Sequence, residues 1–150
     1  MKKIICLIFI SILFYSCKED KIEFVQSKVM NNKFLLKDAP SKDSLIKNLI
    51  KDFLLKNLIK DFLLKNPSKY KNNRSTIFYK YTADTKYFID HLPDPGGFSS
   101  YELEDVENQR LAVFDISKCE TDTTKLIGEF YYYGINYNLL QIDTLIYKCN

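Results

Sequence analysis

Residues 48–65 hold the strongest constraint on the fold. Asn48-Leu49-Ile50-Lys51-Asp52-Phe53-Leu54-Leu55-Lys56 is repeated without change as Asn57-Leu58-Ile59-Lys60-Asp61-Phe62-Leu63-Leu64-Lys65. Pro40-Ser41 opens this stretch and Asn66-Pro67 closes it, which predicts a helix over 43–66 with Ser41 as N-cap and Asp43 in the first turn. Nine residues make about two and a half helical turns, so the second copy faces the opposite side of a straight helix. The first apolar stripe is Leu45, Ile46, Leu49, Ile50, Phe53 and Leu54; the second is Leu54, Leu55, Leu58, Ile59, Phe62 and Leu63. Each is a good amphipathic face alone. A single core buries only one. The helix must therefore break near residues 54–57, leave a stripe exposed, or give it to a partner. Two identical nine-residue units read as a recent in-frame duplication, since repeat architectures use longer units in more copies.

Beyond the helix the pattern changes. Residues 75–150 are dense in aromatic and β-branched runs separated by turn signals. Residues 76–82 and 85–89 read as a hairpin around Ala83-Asp84. Asp94-Pro95-Gly96-Gly97 is a strong turn. Residues 101–110 read as an acidic loop or one short helix, and 111–117, 125–133 and 139–148 as three further strands. Short connections favour an antiparallel meander. The fold class expected is α+β, an N-terminal amphipathic helix packed on a small antiparallel β-sheet. The 150 residues suffice for one modest domain, and 46% apolar content is too high for a disordered chain.

The first twenty residues are an address. Met1-Lys2-Lys3 is basic, and residues 4–15 are apolar except for Ser11, a length that suits a signal peptide and falls short of a bilayer span. Phe14-Tyr15-Ser16-Cys17 resembles the lipobox of bacterial lipoproteins, although Phe14 stands where Leu is common and Tyr15 is bulky for its position. The resemblance implies cleavage of residues 1–16, a diacylglyceryl group on Cys17, and residues 17–42 as lipidated N-terminus and tether. Lys18-Glu19-Asp20 resembles the surface-export tag of Bacteroidota lipoproteins. That implies an outer-membrane protein on the cell surface; the alternative is a tether facing the periplasm. Stable attachment would come from multiple acyl chains on the protein.

Cys6 leaves with the signal peptide and Cys17 carries lipid, so Cys119 and Cys149 remain and most simply form one disulfide of an exported protein. Two Cys and the single His91 are too few to build a metal site. No cofactor is expected. Residues 18–74 carry fourteen basic and seven acidic side chains, against six and twelve in residues 75–150. A basic membrane-proximal arm and an acidic, aromatic domain are thus expected. The overall charge of +3 is too small for a dedicated nucleic-acid binder.

No catalytic motif is present in the sequence. Asp90-His91 with Asp94 could form an acid–base or ligand cluster, and Glu102, Glu104, Asp105 and Glu107 could hold a hard cation. The bland alternatives, a polar strand end and a solvated acidic segment, explain both patterns. Tyr131-Tyr132-Tyr133 with Tyr137 is the most distinctive aromatic group. Alternation turns Phe130 and Tyr132 one way and Tyr131 and Tyr133 the other, so one pair is core and Tyr131, Tyr133 and Tyr137 form a candidate binding surface. Asp122-Thr123-Thr124 resembles a Bacteroidota O-glycosylation acceptor, which makes Thr123 a candidate site. The function expected is a non-enzymatic surface lipoprotein binding a protein or other macromolecule. The alternative is a membrane-tethered immunity or inhibitor protein that neutralises a toxin or enzyme.

Overall fold

Phe34-Leu35-Leu36 is a run of three consecutive apolar residues, the mark of a strand covered on both faces. All three are buried in the computed structural model, which describes residues 22–59, 74–91, 100–120, 122 and 125–147. They belong to β2 (Lys33–Lys37), which pairs antiparallel with β1 (Glu23–Gln26). The stretch expected to be a tether thus contributes two strands to the domain. α1 (Asp43–Phe53) follows and continues as a π-helical segment over Leu54–Ile59. Residues 60–66 of the expected helix lie outside the described residues.

Four more strands complete the sheet: β3 (Arg74–Lys80), β4 (Arg110–Lys118), β5 (Leu126–Tyr132) and β6 (Gln141–Tyr147). Their order in space is their order in sequence. The fold is α+β, but the sheet is mixed rather than an antiparallel meander, because β2 and β3 run parallel. A parallel neighbour needs a long crossover, and α1 provides it. Two helices, α2 (Ala83–His91) and α3 (Ser100–Glu107), connect β3 to β4. The expected hairpin at 76–89 is therefore a strand followed by a helix. Thr82 explains the difference: its hydroxyl accepts from the Thr85 N–H at 3.0 Å, a capping contact that starts α2 where a turn had been expected.

The sheet separates two apolar layers. On one face Phe34, Leu36, Phe78, Phe114, Phe130, Tyr132 and Ile146 meet Ile46, Ile50, Leu54 and Ile59 of α1 and its π segment. Phe53 stacks on Phe24 with ring centres 4.2 Å apart and meets Phe34 and Phe78 edge-on. On the other face Leu35 and Tyr79 pack with Phe88, Ile89 and Val106 from α2 and α3. Lys42, not Ser41, is the N-cap of α1, and it makes no side-chain capping bond. Asp43 ties the helix start to the sheet instead. Its Oδ1 accepts from the Tyr132 hydroxyl at 2.7 Å and from the Ile135 N–H at 3.0 Å. Lys47 donates to Gln141 Oε1 at 2.6 Å, and Lys51 pairs with Asp143 at 3.0 Å. The basic half of the sequence is thus woven through the domain, not held apart from it as an arm.

Candidate functional site

β5 sorts its tyrosines as alternation requires. Phe130 and Tyr132 are buried in the α1 layer, and Tyr131 and Tyr133 are half-buried on the other side. The Tyr131 hydroxyl donates to Glu129 Oε2 at 2.8 Å, and that acceptor, with some desolvation, pushes the phenol up to about 12. Tyr133 and Tyr137 stack with centres 5.5 Å apart and planes 17° apart. Tyr137 adopts a left-handed backbone, φ 54°. The Arg110 guanidinium lies 5.2 Å from one ring centre and 5.1 Å from the other, and its Nη2 donates to the Tyr137 hydroxyl. Two of the three predicted surface tyrosines are therefore brought together, but around a cation of the same chain. No motif in the amino-acid sequence singles out Arg110.

Arg110 extends this group into a polar seam. Nη2 lies 3.3 Å from Glu107 Oε2, and Glu107 Oε1 accepts from the Tyr79 hydroxyl at 3.3 Å. Lys33 Nζ donates to the same hydroxyl at 3.5 Å. Burial, then the Glu107 charge, raises the Tyr79 phenol far above its ordinary value. Burial lowers the Lys33 amine, and Glu107 partly opposes that. The Arg110 guanidinium Nε is buried with no hydrogen-bond partner. The seam locks the end of α3 and the turn after β5 to the sheet.

A more open site lies beside it. α2 and α3 enclose a cleft of about 330 Å³ lined by Asp84, Tyr87, Phe88, Glu102, Asp105 and Val106. Phe88 and Val106 are its buried floor, shared with the core, while Tyr87 is 59% exposed. Among the described residues, three carboxylate side chains and no basic one line it. Tyr101, in the first turn of α3, is 78% exposed. Such a cleft suits the ammonium or guanidinium of a basic side chain: carboxylates supply charge and Tyr87 an aromatic surface. Asp84 and Tyr87 escape a reading of residues 85–89 as a strand, because they come together only when that stretch coils.

Asp90 and His91 are neighbours without acting as a pair. The Asp90 carboxylate bonds Lys86 Nζ and the Lys28 N–H. Lys86, then the Lys28 amide, holds it below its ordinary value. The His91 ring packs 4.1 Å from the Tyr87 ring, and its Nδ1 lies 2.7 Å from the Tyr87 carbonyl oxygen. Asp94 lies outside the described residues. Glu102, Glu104, Asp105 and Glu107 sit on α3 rather than in a loop. Among the described residues no group of three or more His, Cys, Asp or Glu side chains is placed to hold a metal ion.

Cys119 is buried just beyond β4. Cys149 lies outside the described residues, as do Cys17, Lys18, Glu19, Asp20 and Thr123. Among the described residues no helix is long and apolar enough to cross a membrane. No protein-family model matches the chain, and neither the curated proteins nor the solved structures include a match to it.

Proposed function

We propose that the mature chain is a lipid-anchored lipoprotein of the outer membrane, displayed on the cell surface, and a non-enzymatic binding protein for a basic polypeptide. The lipobox-like Phe14-Tyr15-Ser16-Cys17 supports the anchor, and Lys18-Glu19-Asp20 supports surface export. Its partners would be the membrane, through acylated Cys17, and a protein; no cofactor or nucleic acid is invoked. The observation that carries the binding reading is the α2–α3 cleft, with Asp84, Glu102 and Asp105 around Tyr87 on an apolar floor. The same acidity favours the second reading, a membrane-tethered immunity or inhibitor protein whose target presents a basic surface. A toxin or enzyme gene beside this one would favour that second reading.

Cys119 and Cys149 are proposed to be bridged. Lys118 pairs with Leu126, and Tyr147 with Ile127, so β4 and β6 end on either side of the start of β5. Closing a loop of about 30 residues would contribute about 3.7 kcal/mol by chain entropy. Mass measurement after alkylation without reductant should find neither thiol modified; two alkylated thiols would end the proposal.

Binding is tested on the mature lipidated protein in detergent micelles, with fluorescent decalysine and decaglutamate peptides as probes. Decalysine should bind, more weakly as salt rises, and decaglutamate should not. Glu102→Gln with Asp105→Asn removes two rim charges worth about 1 kcal/mol together, or about fivefold in affinity. Equal decalysine affinity for variant and parent would refute the cleft. Protease treatment of intact cells, with a Cys17→Ala control, tests placement. A protected protein would refute surface display, and a membrane-retained Cys17→Ala variant would refute the lipid anchor.

A further inference from the structure

The side chains that hold α1 to the sheet recur, in kind, nine residues later. Asp43, bonded to Tyr132 and Ile135, is matched by Asp52; Lys47, bonded to Gln141, by Lys56. Buried Ile46 is matched by Leu55, and buried Ile50 by Ile59. Lys51, paired with Asp143, and buried Leu54 are matched by Lys60 and Leu63, which lie outside the described residues and enter by sequence alone. The similarity thus begins five residues before the perfect duplication. Residues 43–51 and 52–60 differ only at Ser44 against Phe53 and Ile46 against Leu55.

Three of the four described members of the second set are idle in the observed packing. Asp52 and Lys56 are exposed and, among the described residues, pair only with each other, at 3.5 Å. Leu55 is 46% exposed. Of the described members, Asp52, Leu55, Lys56 and Ile59, only Ile59 is already buried.

We propose that α1 has two docking registers on the same sheet, nine residues apart. In the second, Asp52, Leu55, Lys56 and Ile59 take the places of Asp43, Ile46, Lys47 and Ile50. The helix would advance by about 13.5 Å along its axis. Nine residues would pass from the connection before β3 to the connection after β2. Seven residues, 67–73, would still join the helix to β3, short of the roughly 12 beyond which such loops become uncommon. The buried residues of the second register, Leu55, Ile59 and Leu63, are spaced by four, so an ordinary α-helix presents them. The first register buries one residue more, Ile59 beyond Leu54, while in the second Asn66-Pro67 closes the helix before that position is reached. This keeps the observed register dominant and the other in reserve. The switch is a property of α1 and the sheet, and it is independent of ligand binding at the α2–α3 cleft.

The test closes the first register and asks where position 55 goes. Ile46→Asp with Ile50→Asp puts two carboxylates into buried sites of the observed register, and the second register carries both to the loop before the helix. Leu55→Cys, introduced into both the parent and this double variant, reports through thiol alkylation of the mature protein resolved by mass. The expected result is alkylation at least about tenfold slower in the double variant, as position 55 moves from half-exposed into the site of Ile46. Adding Ile59→Asp closes both registers and should restore fast alkylation. Alkylation unchanged or faster in the double variant, as simple unfolding would give, overturns the proposal. So does protection that survives Ile59→Asp.

Discussion

Arg110→Ala tests whether the tyrosines beyond β5 serve the fold or a ligand. The substitution removes two guanidinium–ring contacts, at 5.2 and 5.1 Å, each worth about 0.5–1 kcal/mol in a partly exposed setting. It removes a charge-assisted bond to the Tyr137 hydroxyl, about 1.5 kcal/mol. The ion pair with Glu107 adds about 0.5 kcal/mol, because that carboxylate is 42% exposed. Against these losses, deleting the unpartnered Nε recovers about 1 kcal/mol. The net loss is about 2.5 kcal/mol, a fall in Tm of about 5–10 °C for a chain of this size. Arg110→Lys keeps the charge but cannot span both rings, so it should recover about half. Thermal unfolding followed by near-ultraviolet tyrosine dichroism reads both quantities. A Tm within 1 °C of the parent, with the tyrosine signal intact, would refute the lock and return Tyr133 and Tyr137 to the ligand-binding surface.

Three further outcomes are expected. Lys86 depresses Asp90 and Lys51 depresses Asp143, so the unfolded chain takes up protons at these sites first. Their contribution is complete above the ordinary carboxylate range and fades as pH falls through the depressed values; Asp143→Asn should flatten denaturation curves measured below about pH 4. Tyr131 rises to about 12, and Tyr79 and Tyr132 rise further, so stability should drop above about pH 10, where the unfolded chain ionises first. Phenolate absorbance should show these three titrating late; ordinary titration of Tyr79, Tyr131 and Tyr132 in the folded protein would contradict this. Gly134→Ala puts a side chain at φ 75°, with its Cβ 2.6 Å from Leu140 Cδ1 and 3.0 Å from Asp43 Oδ1. A loss of about 2 kcal/mol in chemical denaturation is expected, and a neutral result would argue against the Asp43 tie.

What the sequence disclosed followed the reach of its signals. The β4 and β5 strands were legible because alternation and turn residues are local, and so was the burial of Phe130 and Tyr132. β1 and β2 were not, because four and five residues amid lysines resemble a linker, and only pairing with distant β3 gives Phe34, Leu35 and Leu36 a core. α2 was misread because Thr82-Ala83-Asp84-Thr85 suits a turn and a helix cap alike, and the burial of Phe88 and Ile89 between sheet and α3 decides between them. The cleft inherits that difficulty, since its acids come from two helices that meet only in the tertiary fold. The Tyr133–Tyr137 pair was legible as a cluster but not as a lock, because Arg110 joins it from another strand.

The duplication shows most clearly how packing settles what periodicity leaves open. On a continuous α-helix Ile59 would sit about 140° around from Leu54, away from the sheet. Over Leu54–Ile59 the backbone instead closes i→i+5 turns, which set residue 59 beneath residue 54. The buried series is accordingly Ile46, Ile50, Leu54, Ile59: two steps of four, then one of five. The first three positions of the two copies now share their environments. Asn48 and Asn57 are exposed, Leu49 and Leu58 half-buried, Ile50 and Ile59 buried. One wide segment rotates the described start of the second copy, residues 57–59, back toward the core. The loss of α geometry is offset by burying Ile59, worth about 2 kcal/mol of apolar transfer. Ile59→Ser should therefore cost little more than that transfer and let residues 54–59 return to α-helical bonding. Backbone amide shifts would report the change, and a π segment unaltered in the variant would show that something other than Ile59 holds it.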